Sequence, residues 1–289
     1  MLQPIISRGR PLNLPIPTGA ASRLLECIGA AVPSPWSLVS ILDDDPLLAR
    51  RFHRLAISTL VDGARRGGSV GEVVMALEPD VLRQVATAAA VMHLLPASPS
   101  GLTGEQFDRF RFWEHSAAVG VLSRLMARNI GLDPSQAFVG GLLHDMGRLV
   151  LDVHFPREFS AVLQYQLRHD TWIRDAEAAV LGYDHCMIGE QVASAWGLST
   201  QLVEIIGTHH QPERTDPPAS QLAAVIHVAD ILARGLQVGY PGDDAIPMLS
   251  EPTLRRLRFN WSQLRDCLSE AEQSLHEARL LVQETMRPE

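Results

Sequence analysis

Wherever apolar residues recur regularly over a long stretch of this chain, they recur near the helical interval of about 3.6, and no useful length alternates at the two-residue interval of a strand. The pattern predicts an all-α fold with no sheet beyond a token hairpin. Helical spacing covers residues 20–30 and 37–42, and Asp45-Pro46 then supplies a cap and a first-position proline for a helix through Leu47, Phe52 and Leu55. Ser69-Val70-Gly71-Glu72 has the form of a capping box and leads into one long helix reaching Leu95.

The stretch from Pro96 to Gly104, rich in proline, glycine and serine, is the expected linker, because neither proline nor glycine supports helix continuation. Beyond it, helical patterns occupy residues 105–129, 135–152, 156–168, 172–181, 185–196, 200–209 and 219–236. Residues 239–252 read as loop, and 251–286 as one or two amphipathic helices. The expected organisation is an amino-terminal helical subdomain at 1–100, a helical core at 101–236, and a carboxy-terminal loop with helices at 237–289.

Twenty-five basic against thirty-three acidic side chains leave a net charge of −8, with no Lys/Arg block able to track phosphates, so direct nucleic-acid contact is not expected. Cys27, Cys186 and Cys267 are widely separated and odd in number, which predicts reduced thiols and neither a disulfide framework nor a cysteine zinc motif. Arg8, Arg10 and prolines 11, 15 and 17 interrupt any signal-peptide core. The longest oily run, Val85 to Leu95, is far shorter than the roughly 18 apolar residues of a membrane span. A soluble, cytoplasmic, non-membrane protein is expected.

The chemistry lies in the histidines and aspartates. His144-Asp145 sits in Gly140-Gly141-Leu142-Leu143-His144-Asp145-Met146-Gly147, read as the interior of a helix whose small residues admit close neighbours. A second dipeptide, His169-Asp170, reads as a solvated surface pair. The first pair has company on other helices. His115 shares a face with Val119, Leu122 and Met126, His185 with Ile188, Val192 and Trp196, and Asp230 with Leu222 and Ile226; His209-His210 ends a further helix.

Imidazoles and carboxylates on apolar faces must be paired, hydrogen-bonded or bound to metal. With no thiolate counted in the set, the donors suit Mn, Fe, Ni, Zn or Mg, as one ion or two. His53, His93, His154, His227 and His276 lack such company and read as structural or surface residues, and Phe112, Trp113 and Trp196 as packing.

The order His115, His144-Asp145, His185, His209-His210, Asp230 resembles the HD superfamily of metal-dependent phosphohydrolases, and within it the HDOD group of bacterial signalling output domains, related to the HD-GYP phosphodiesterases. The likeness runs from Leu12-Asn13-Leu14-Pro15 through Asp45-Pro46-Leu47 to Val225-Ile226-His227-Val228-Ala229-Asp230, and is densest at Phe112-Trp113-Glu114-His115-Ser116, Gly141 to Leu149, and Leu181-Gly182-Tyr183-Asp184-His185. It implies an amino-terminal helical part on a helical HD core. His115, His144, Asp145 and Asp230 would hold one metal, and His185, His209 and His210 would help to hold a second.

Three departures bear on activity. Arg148 stands where the catalytic relatives carry lysine, Arg111 stands where they carry an acidic residue, and no Gly-Tyr-Pro follows His209-His210. Gly239-Tyr240-Pro241 lies after Asp230 and reads as an incidental loop. The resemblance therefore implies a retained ligand set without the substrate apparatus, and no catalytic residue is assigned. The expected function is a bacterial regulatory output module that binds a metal, passes its state to a signalling protein partner, and has room for a nucleotide ligand. The alternative is a metal-dependent phosphohydrolase acting on a nucleotide or cyclic dinucleotide, with Arg148 as a phosphate contact.

Overall fold

The structure, a computed structural model, describes residues 6–7, 10–29, 34–59, 68–97, 106–214, 216, 219–249, 251–257 and 261–286. Its helices in chain order are α1 (Gly19–Gly29), α2 (Pro35–Asp43), α3 (Pro46–Thr59), α4 (Val70–Ala76), α5 (Pro79–Leu94), α6 (Arg109–Ile130), α7 (Pro134–Leu143), α8 (Met146–His154), α9 (Pro156–His169), α10 (Ile173–Leu181), α11 (His185–Ala195), α12 (Thr200–Thr208), α13 (Ala219–Gly235), α14 (Glu251–Leu257) and α15 (Trp261–Met286). Among the described residues the extended structure is one antiparallel pair, Ile6–Ser7 with Arg10–Pro11. The all-α expectation holds.

Local chemistry sets the helix ends. Ser69 accepts from the Glu72 amide while the Glu72 carboxylate accepts from the Ser69 amide, which completes the capping box. Asp45 accepts from the Leu48 amide ahead of Pro46 at the start of α3. The single helix expected from Ser69 to Leu95 is two, because Pro79 has no amide hydrogen and drives Glu78 into extended backbone at φ −61°, ψ 145°. Of the expected linker, Ser98 to Gly104 lie outside the described residues.

A second break matters more. The helix expected over 135–152 is divided into α7 and α8 at His144-Asp145, where Asp145 leaves helical geometry at φ −98°, ψ 14°. The dipeptide thus occupies a corner between two helices and not a helix interior. A corner lets adjacent residues aim into one space, which a continuous helix denies to neighbours about 100° apart.

The long α6 forms the spine, with α7, α13 and α15 packed along it. One apolar core runs from Leu24, Phe52 and Val85 of the amino-terminal helices through Phe112, Leu149 and Ile206 to Val282 near the end of α15. A second cluster joins Val119, Leu122 and Met126 of α6 to Leu222, Val225 and Ile226 of α13. Buried Arg109 at the start of α6 pairs with Asp152 of α8 and fixes the angle between those helices. No described helix is long and apolar enough to cross a membrane.

Candidate metal centre

Helices α6, α7, α11, α12 and α13 each deliver one part of the sequence-derived set to a common interior space. His115 comes from the first half of α6, His144-Asp145 from the α7–α8 corner, His185 from the first position of α11, His209-His210 from the end of α12, and Asp230 from α13. All but the half-buried His210 are buried.

The separations form a continuous chain. His115 Nε2 lies 2.9 Å from Asp230 Oδ1, His144 Nε2 lies 3.9 Å from that oxygen and 3.3 Å from Asp145 Oδ2. Asp145 Oδ1 then stands 3.1 Å from His185 Nε2 and 3.2 Å from His209 Nε2, and His185 Nε2 meets His210 Nε2 at 3.1 Å. All seven residues singled out from the sequence converge.

Three of the imidazoles are oriented by their other nitrogen. His144 Nδ1 donates to the Gly141 carbonyl at 2.7 Å, His209 Nδ1 to the Ile206 carbonyl at 3.0 Å, and His185 Nδ1 to the Glu177 carboxylate at 2.6 Å. Because each partner is an acceptor, Nδ1 carries the hydrogen, and in the neutral ring Nε2 keeps a lone pair aimed inward. Imidazoles that ligate metals show this same pattern of outer-nitrogen support.

Two inward atoms, His144 Nε2 and Asp145 Oδ1, are correspondingly short of partners, buried with no hydrogen bond, and His115 Nδ1 is also buried without one. Lone pairs and a carboxylate oxygen pointing at one another need a cation or protons between them. Two separate donor groups each have their donor atoms within 4.8 Å of one another, as ligands of one ion would be, His115/His144/Asp145 and His185/Cys186/His209/His210. The residues present fit a divalent metal.

The electrostatics agree with that fit. Burial alone would raise the Asp145 carboxyl, yet Arg148, His144 and His185 hold it well below the usual range. Asp230 is likewise held low against burial, by Arg234 and His115. Burial would lower the His209 imidazole, but Cys186 and Asp145 push it up to about 9, and His185 is raised well above its ordinary value by Cys186, Glu177 and Asp145. Burial lowers His115, and burial with His209 and His185 lowers His210, so the pull on protons, and with it on metal cations, centres on Asp145 and the two imidazoles facing its Oδ1.

Arg148 lies inside the centre. Its guanidinium donates to Asp145 Oδ2 and, at 3.1 Å, to the Pro241 carbonyl; it lies 3.5 Å from Glu177 Oε1 and 3.4 Å from His185 Nε2. Gly147 beside it is required by close approach, since a Cβ there would stand 2.0 Å from the His185 carbonyl oxygen. Outside Arg148 opens a cavity of about 360 Å³ whose lining includes Trp172, Arg174, His210, His227 and Arg234. Arg174 is paired with Asp184, and Arg234 with both Asp230 and Asp243.

Several participants were not singled out in the sequence. Arg234 stands four residues after Asp230, a helical spacing that places them together. Glu177 and Asp243 come from other segments and carried no sequence signal. Cys186 was left out of the donor set, and the structure puts its sulfur 4.0 Å from the His209 ring nitrogens.

The Gly239-Tyr240-Pro241 stretch, read as an incidental loop, packs on the centre. Gly239 has φ +71°, with its Cα so close to α6 that a Cβ would lie 2.2 Å from the His115 amide, and the Tyr240 amide donates to the Arg111 carbonyl. His227 also approaches the centre, donating through Nδ1 to the His209 carbonyl. His169 and Asp170 are exposed, as expected of a surface pair.

Helices that meet to gather five imidazoles and two carboxylates around one corner define a helical histidine–aspartate domain. The HDOD domain model matches residues 14–212, more than two thirds of the chain, and the chain belongs to the HDOD domain family. Ribonuclease Y of Geotalea uraniireducens is 27% identical over 213 residues, which is 67% of this chain and 35% of that protein, so the chain spans about a third of the relative's length.

Among solved structures, an HDOD domain protein from Geobacter sulfurreducens superposes with a TM-score of 0.73 at 24% identity, covering 95% of this chain and 94% of that one. A protein from Marinobacter aquaeolei, provisionally described as a signal transduction protein, matches with a TM-score of 0.69 at 22% identity, covering 95% of this chain and 60% of that one. These likenesses establish the fold.

Proposed function

We propose that the chain is a bacterial signal-output module whose His/Asp centre binds a divalent metal and whose metal-bound state is read by a signalling protein partner. The reading is supported by membership of the HDOD family and by the fold shared with a protein described as acting in signal transduction. The observation that carries it is the position of Arg148. A two-metal hydrolase needs both carboxylate oxygens and an open coordination position for an attacking water. Here one oxygen of Asp145 is engaged by a buried guanidinium that is itself held by Glu177 and the Pro241 carbonyl. Arginine does not give up its proton and is not displaced at low cost from such a pair.

His115, His144, Asp145 and Asp230 would hold one cation, with His185, His209 and His210 on the far side of Asp145. A bound divalent ion would supply Lewis acidity. The protein's own contribution is to fix imidazole tautomers and to couple α6, α7, α11, α12 and α13 through one charge, so that occupancy alters how those helices pack.

A second reading, a metal-dependent phosphohydrolase, is favoured by the cavity outside Arg148, whose arginines and half-exposed Trp172 suit a phosphate and a base. Turnover separates the two. Protein loaded with Mn or Fe is incubated with cyclic dinucleotides, nucleotides and a short RNA. The output-module reading expects no hydrolysis above a chelated control in wild type, and little change in Arg148→Lys. Metal-dependent hydrolysis abolished by Asp145→Ala would establish the enzyme instead.

A further inference from the structure

Cys186 follows His185 as the second residue of α11 and is buried. Its Sγ stands 4.0 Å from both ring nitrogens of His209, while His185 and His210 meet at 3.1 Å on the adjacent side. Donor atoms of these four residues all lie within 4.8 Å of one another, as a group separate from that of His115, His144 and Asp145. In a tetrahedral site, zinc–sulfur and zinc–nitrogen lengths of about 2.3 and 2.0–2.1 Å set sulfur and nitrogen about 3.6 Å apart, so the gap to His209 closes with a shift of about half an ångström.

Charge shows why the sulfur matters. Three neutral imidazoles beside the guanidinium of Arg148, 3.4 Å from His185 Nε2, offer nothing to offset its repulsion of a dication. Asp145 turns only Oδ1 to this side, and its charge is shared with Arg148 through its second oxygen, which also faces His144. An anionic donor belonging to the group itself meets the need.

We propose that His185, Cys186, His209 and His210 form a thiolate-containing site for a thiophilic divalent cation of the zinc class, distinct from the harder group of His115, His144 and Asp145. The two sides of the centre then sort ions by softness. Binding forms a metal–sulfur bond and releases the thiol proton to solvent, with no change of oxidation state. The inference rests on the metal-binding reading of the centre.

The test uses the full chain, stripped by chelation and titrated with Co²⁺, Zn²⁺ and Mn²⁺. Wild type with cobalt is expected to show near-ultraviolet sulfur-to-cobalt charge transfer. Cys186→Ser should lack that band and lose at least about tenfold in zinc affinity, with manganese affinity kept within about twofold. Since a buried substitution can disturb folding, zinc-edge X-ray absorption of wild type supplies a measurement that needs no variant: one sulfur neighbour at about 2.3 Å is expected. Cobalt binding without the band, or a zinc shell of nitrogen and oxygen alone, overturns the thiolate site while the metal-binding reading stands. If wild type binds none of the three ions, both fall.

Discussion

The Nε2 atoms of His185 and His210 face each other across 3.1 Å. Two imidazole nitrogens at that distance share a proton or a cation, and on His185 the other nitrogen is already committed to Glu177. Glu177 therefore decides which atom His185 presents, and it also accepts from the His185 amide at 2.8 Å. Replacing it with glutamine keeps the shape and removes the charge. Glu177→Gln should lower metal affinity by about 10–100-fold while helical content is retained. Competition against a chromophoric chelator reads the affinity and circular dichroism the fold; unchanged affinity would mean that Glu177 serves Arg148 alone.

Asp145 stands between the two sides of the centre, facing His144, Arg148, His185 and His209. Asp145→Ala should abolish high-affinity metal binding and, by leaving the buried Arg148 guanidinium without its nearest carboxylate, destabilise the fold by about 3–5 kcal/mol. Metal analysis and urea denaturation measure the two effects. Asp145→Asn separates them, since it preserves volume and one oxygen but should still lose metal. Full metal content in either variant would place the ion elsewhere.

Much of this architecture was legible because helices report themselves through spacing. The inward stripe of His115, Val119, Leu122 and Met126, and that of Asp230 with Ile226 and Leu222, are one-dimensional signals that survive into three dimensions. His115, His185 and Asp230 were found because each interrupts an apolar face, and His144-Asp145 and His209-His210 because they keep company with those three in the order of the HD superfamily. The His169-Asp170 pair, on an exposed surface, was separable from His144-Asp145 for the same reason.

What spacing cannot report is where a periodic run bends. Residues 135–152 keep helical spacing through the corner at His144-Asp145, and the bend appears only in the Asp145 backbone. Pro79 was a readable breaker that the surrounding apolar run obscured. Glu177, Cys186 and the 239–243 loop join the centre through contacts between distant segments, and one sequence carries no local trace of such contacts. Arg234 is the exception, since its i, i+4 relation to Asp230 was present in the sequence.

The α8–α11 crossing gives a sharp structural prediction. A methyl group at Gly147 would stand 2.0 Å from the His185 carbonyl and 3.1 Å from the Gly189 amide, both backbone atoms that cannot swing aside. Gly147→Ala should therefore force α11 outward, costing at least about 1–3 kcal/mol as an overpacked contact and carrying His185 away from Asp145. Thermal denaturation and metal titration should both register it. A stable variant with wild-type metal affinity would show that the crossing is looser than the structure has it.

Acid should unfold the metal-free protein, and the sign follows from the carboxylates. Burial would raise Asp145, Asp184 and Asp230, but Arg148 with the imidazoles, His185 with Arg174, and Arg234 with His115 respectively hold all three below their ordinary values. A carboxyl whose folded value is depressed contributes stability that is fully present above its unfolded value near 4 and is lost as pH falls through the folded one. Asp184 adds a second route to the same outcome, because it caps α11 by accepting from the Met187 amide, and protonation weakens that cap. The carboxylates' contribution to the melting temperature of chelated protein should accordingly hold down to about pH 5 and then fall steeply toward pH 2, below the shallower loss that begins near pH 6.5 as His115, His210 and His227, held low by burial, are forced to charge. Asp184→Asn, which keeps an oxygen for the Met187 amide and removes the titrating charge, should lower stability at neutral pH and flatten the fall. An acid transition as steep in Asp184→Asn as in wild type would assign the acid sensitivity to Asp145 and Asp230 alone.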